Sequence, residues 1–145
     1  LALIEWGLHV IEAPQGLIAA RCQLMRLRIE FELGRFEEAL VDAVVALEIC
    51  RRFALPDVYD ALALGLARAG RPRTAALLIG RSMQAHADRG ALFSEASESD
   101  VPSATVLARE ALDADAFADL VSKGRRTDDS EFERLFRSGD ASVDL

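Results

Sequence analysis

The stretch Gly34-Arg35-Phe36-Glu37-Glu38-Ala39-Leu40 decides the fold class. A glycine can end a helix because, without a Cβ, it enters the left-handed cap conformation at no steric cost. The aromatic two residues later opens a second helix, the two acids suit the positive end of its dipole, and Ala39 is the small side chain needed where antiparallel helices cross. Apolar residues recur at helical spacing on both sides. Ile18, Cys22, Met25, Ile29 and Leu33 mark one face before the turn, widened by Leu24, Leu27 and Phe31. Phe36, Leu40, Ala43, Val44, Leu47 and Ile49 or Cys50 form the stripe after it. Helices are therefore expected over 17–33 and 36–53, with Arg51-Arg52 at the negative end of the second.

Gly70 to Ala75 echoes this turn. It predicts a second hairpin: one helix over 56–69 with Val58, Tyr59, Leu62, Leu66 and Ala69, and another from Pro72 to Arg89, closed by Gly90. Upstream, a helix over 2–12 is expected to stop at the breaker cluster Ala13-Pro14-Gln15-Gly16. Downstream, 91–102 reads as an acidic loop centred on Ser94 to Asp100 and ending in Val101-Pro102. Ser103 caps a helix through Leu112. Asp113 caps a short helix from Ala114 to Ser122 that buries Phe117, Leu120 and Val121 and is stopped by Lys123-Gly124. Asp128 with Glu131 is a capping-box-like start for a last helix carrying Phe132, Leu135 and Phe136, and 138–145 is expected to fray. The fold class is all-α, with seven or eight helices: helical hairpins over 1–90, then the loop, then an irregular helical cap over 103–137.

Composition agrees. Ala (25 residues) and Leu (21) dominate the 145-residue chain, and both favour helix. Lys123 is the only Lys, an Arg bias that suggests a GC-rich bacterial genome. The run Leu1, Leu3, Ile4, Leu8, Val10, Ile11 starts mid-pattern and without Met, which predicts that this is a piece of something larger, with exposed apolar surface where an upstream unit would dock. Residues 1–90 hold 11 basic and 11 acidic side chains and residues 91–145 hold 6 and 13, giving the net charge of −7. An acidic chain with no basic cluster beyond Arg125-Arg126 is a poor ligand for nucleic acid or an anionic membrane. Cys22 and Cys50 form no CxxC motif and read as two buried free thiols; with no signal peptide and no long apolar run, a cytoplasmic setting is expected.

The glycines of the two turns lie 36 residues apart, near the period of about 34 residues of tetratricopeptide repeats. The second unit resembles that repeat best, through Tyr59, Leu62, Ala63, Leu66, Gly70 and Ala75. The first keeps Gly34, Phe36, Ala39 and Ala46 but departs at Leu27 and Glu30. From Arg73 onward the order Ala75-Ala76-Leu77-Leu78-Ile79-Gly80-Arg81, Ala108-Arg109-Glu110-Ala111-Leu112-Asp113, Asp115-Ala116-Phe117, Gly124-Arg125 and Thr127-Asp128-Asp129 resembles the C-terminal region of large actinobacterial ATPase-containing regulators, including LuxR-type and cyclase-linked members.

The repeat resemblance implies that the first helix of each pair lines a groove. Arg21, Leu24, Arg28 and Phe31, with Asp57, Asp60, Leu64 and Arg68, would then face a partner. It also implies a non-catalytic sensor or interaction region of a multidomain transcriptional or signalling regulator that binds a protein partner or an effector, packs on the ATPase module or other domains of the parent chain, or pairs with a second copy. The alternative is a stand-alone peptide-binding adaptor of the same repeat type. No cofactor or metal is expected: His9 and His86 sit in separate helices without a partner placed by sequence, and adjacent carboxylates such as Glu37-Glu38 or Asp128-Asp129 point apart on a helix. Trp6 reads as a packing residue.

Overall fold

The computed structural model describes residues 2–89 and 95–137, with side chains over 16–89 and 100–137. Among the described residues there are seven helices and no strand: α1 (Ala2–Glu32), α2 (Phe36–Arg52), α3 (Asp57–Arg68), α4 (Pro72–Arg89), α5 (Glu95–Ala111), α6 (Ala114–Arg126) and α7 (Asp129–Arg137).

Three helix ends close in the same way. Gly34 has φ of 69° and Gly70 φ of 78°. The Arg35 N–H donates to Glu30 O at 2.9 Å and the Arg71 N–H to Leu66 O at 2.8 Å, the six-to-one bond of a Schellman cap. The third end carries no glycine. Ala54 takes φ of 50°, and the Leu55 N–H donates to Cys50 O at 3.0 Å, so a residue with a Cβ holds the strained position. The two glycine turns lie side by side: Phe36 meets Phe31 edge-on at 6.4 Å, and the Arg71 guanidinium sits 5.5 Å over the Phe36 ring.

Packing follows from these turns. α1 pairs with α2 and α3 with α4; α3 also lies on α1 and α2, α5 lies on α3 and α4, and α6 lies on α4. α3 is thus surrounded, and every residue from Val58 to Leu66 is buried. Leu27, Leu47, Leu62, Leu66 and Leu78 are buried almost completely, each contributing about 1.5–3 kcal/mol by transfer from water. α4 and α6 meet backbone to backbone: a Cβ on Gly80 would lie 2.0 Å from Val121 O, and one on Gly124 1.9 Å from Leu77 O. α7 turns back onto α2 and buries Phe132 and Phe136. It is held by Asp129, whose Oδ1 accepts from the Tyr59 hydroxyl at 2.6 Å and from Arg81 Nε at 3.3 Å.

Several expected boundaries move. α1 runs unbroken through Ala13-Pro14-Gln15-Gly16. An interior proline removes one N–H and crowds the carbonyl four residues before it, yet the helix continues, and Gly16 packs beneath Phe53, whose Cζ would lie 2.4 Å from an added Cβ. The acidic segment is helical from Glu95, with Pro102 and Ser103 inside α5. Asp100, counted as a solvated loop residue, instead pairs with Arg28 of α1 at 2.5 Å. Gly124 lies within α6, whose last residue is Arg126, because it serves the crossing with α4. The expected caps at Asp113 and Asp128 are present, accepting from Ala116 N at 2.8 Å and Glu131 N at 3.1 Å. Leu1, Gly90 and the 138–145 tail lie outside the described residues, as do the side chains of Trp6 and His9.

Candidate interaction surface

The eight residues expected to line a groove take different places. Arg28, Phe31, Leu64 and Arg68 meet at a recess of about 190 Å³ between α1, α3 and α5, together with Glu32 and Asp100. Both of its arginines are already paired, Arg28 with Asp100 at 2.5 Å and Arg68 with Glu32 at 2.7 Å. Leu24 is a core residue, Arg21 is exposed and Asp57 is half-buried at the start of α3. None of these three lines the recess.

Asp60 is fully buried. One of its oxygens accepts from the Ser82 hydroxyl and the other faces His86 Nε2 at 3.0 Å. Ser, His and Asp are therefore together, but in the wrong order for acyl transfer. A nucleophilic triad needs the imidazole between hydroxyl and carboxylate, whereas here the carboxylate lies between the other two. Ser82 and His86 are 1% and 3% exposed, so no substrate reaches them. The cluster ties α3 to α4. Sequence reading could not find it, since Asp60 lies 22 residues from Ser82 and the two meet only once the hairpin is closed.

The surface that stands out is on the first hairpin. α1 buries Ala20, Leu24 and Leu27, while Ile18, Met25, Ile29 and Leu33 project away from the core, and Val41 and Val45 do the same on α2. These six are between 41% and 68% exposed. At 100° per residue the two α1 series fall on opposite sides of the helix. The face read as the hairpin's inner stripe thus splits: Leu24, Leu27 and Phe31 turn inward, and Ile18, Met25, Ile29 and Leu33 turn outward. Cys22 is exposed with the outward series, contrary to the expectation of two buried thiols. Cys50 is buried, and burial pushes its thiol up to about 12.

On the same hairpin the exposed Arg26 bridges Glu30 at 3.2 Å and Asp42 of α2 at 2.7 Å. Burial, and then the neighbouring Asp42, raise the Glu30 carboxyl above its usual range. No described helix is long and apolar enough to cross a membrane. Comparison with protein-family models, with curated proteins and with solved structures finds no match for this chain.

Proposed function

We propose that this chain is a non-catalytic helical interaction module. The outward faces of α1 and α2 dock an apolar helical surface, supplied by a partner protein or by another domain of the same polypeptide. The observation that carries this reading is the second apolar series of Ile18, Met25, Ile29 and Leu33 on a helix whose first series already fills the core. Water-facing Ile, Met and Leu at helical spacing add nothing to the fold of the isolated chain, and such clustered exposure is the mark of an interface. The setting we propose is a multidomain bacterial transcriptional or signalling regulator, in keeping with the ordered segments from Ala75 to Asp129. The peptide-binding adaptor reading is weaker, because the arginines of its groove already hold carboxylates.

The test is co-purification of partner polypeptides, or of the remaining domains, with the native chain and with an Ile29→Glu/Val41→Glu double variant. Circular dichroism is expected to show both folded, and association is expected to fall by at least about tenfold, the cost of burying unpaired charge in an interface. Unchanged association of a folded double variant would exclude this face.

A further inference from the structure

A wide concavity lies elsewhere, between α4, α5 and α6. α5 leans on α3 and α4 while α6 lies on α4, so the two helices diverge from their joint at Asp113. They leave a cleft of about 960 Å³ with Ile79 and Met83 as floor and Phe117 and Val121 on one wall. That volume is at the upper end of the range for small-molecule sites, about 300–1,000 Å³, and an apolar lining with few polar groups is their usual character.

The polar groups here are two hydroxyls, Thr105 and Ser122, and two cations. Arg109 of α5 and Arg125 of α6 line the cleft, and neither holds a carboxylate in an ion pair among the described residues, whereas Arg26, Arg28, Arg68 and Arg81 each do. The Arg109 guanidinium lies 5.1 Å over the Phe117 ring. A guanidinium over a ring keeps its N–H groups available to a bidentate acceptor. In a chain of net charge −7, a cleft with this lining is locally suited to an anion with an apolar body. Phe117 and Arg125 are eight residues apart on α6, which at 1.5 Å per residue sets about 12 Å of wall between them.

We propose that this cleft binds an elongated amphipathic carboxylate. Its headgroup is held on the Arg109 guanidinium, its apolar body lies along α6 over Ile79, Met83 and Val121, and Arg125 adds a favourable field at the far end. The site is separate from the α1–α2 face, so each proposal stands or fails alone.

Decanoate is the probe, with decan-1-ol as its uncharged counterpart, and binding is followed by titration calorimetry on the native chain. Decanoate is expected to bind at least about tenfold more tightly than the alcohol, the worth of a charge-assisted hydrogen bond. Arg109→Gln should remove most of that difference and Arg125→Gln only about two- to threefold. Ala118→Trp, which fills the cleft from an exposed position, should abolish binding, and Ile29→Glu should leave it unchanged. Circular dichroism confirms the fold of each variant. Equal affinity for acid and alcohol, a loss at Arg125 equal to or larger than that at Arg109, retained binding by Ala118→Trp, or loss of binding in Ile29→Glu would each overturn the proposal.

Discussion

α1 and α3 are built from the same kind of sequence and meet different surroundings. Both carry apolar residues on more than one side. α3 has α1, α2, α4 and α5 around it, and its residues from Val58 to Leu66 are all buried. α1 packs on α2 and α3 and meets α5 through the Arg28–Asp100 pair, while Ile18, Met25, Ile29 and Leu33 face outward. A helix apolar all round is normally enclosed. What α3 obtains from its own chain, α1 lacks on one side, and this asymmetry is the basis for reading the first hairpin as a docking element.

The comparison predicts that substitutions in α3 cost stability and equivalent ones on the outer face of α1 do not. The largest effect is expected at Asp60. Asp60→Ala removes the side chain that links Ser82 and His86 and should destabilise the chain by about 3–5 kcal/mol in urea unfolding, as loss of the central member of a fully buried polar network does. Leu62→Ala leaves a cavity in the same helix and should cost about 3 kcal/mol.

Ala54→Gly tests the helix end that lacks a glycine. Relief of the left-handed conformation should raise stability by about 0.5–1 kcal/mol, partly offset by the added freedom of the unfolded chain. A fall in stability would show that the Ala54 Cβ makes contacts that outweigh its strain.

Asp128 gives a pH signature. Its Oδ1 accepts from the Ser130 hydroxyl at 2.6 Å and the Glu131 N–H at 3.1 Å, and these bonds hold its carboxyl below the usual range. Because the folded value is the lower one, the cap's contribution is complete above the unfolded value and is lost as pH falls through the folded value. The difference in thermal midpoint between the native chain and Asp128→Ala should accordingly shrink on acidification. On the outer face of α1, Met25→Ser should change the stability of the isolated chain by no more than about 0.5 kcal/mol. A loss comparable to that of Leu62→Ala would mean that α1 is enclosed on both sides after all.

Much of the fold was legible because its punctuation is local. Gly34 and Gly70 end helices by conformation, Pro72 opens one, and Asp113 and Asp128 cap two. The two misread glycines share one physical cause. Gly16 and Gly124 have the composition of helix breakers, but they occur where a ring or a backbone must come close, and nothing in a single sequence separates a glycine needed for its φ from one needed for its lack of Cβ. Pro102 sits inside α5, whose expected solvated character is overridden by the pairing of Asp100 with Arg28. The site was less legible still. Spacing placed Arg28, Phe31, Leu64 and Arg68 near one another. Only the packed structure distinguishes the inward series of α1 from the outward one, and only it brings Asp60 to Ser82 and His86.

Cys22 allows the central claim to be tested without knowing the partner, since it is exposed beside Ile18, Met25 and Ile29, while the buried Cys50 serves as an unreactive internal control. Alkylation of Cys22 is measured by mass spectrometry on the purified chain and on the native protein in intact cells, relative to the unfolded protein. If the outer face of α1 is docked, Cys22 should react about tenfold or more slowly in cells than in the purified chain, and Ile29→Glu/Val41→Glu should restore the faster rate. Equal rates in the two settings would contradict the account.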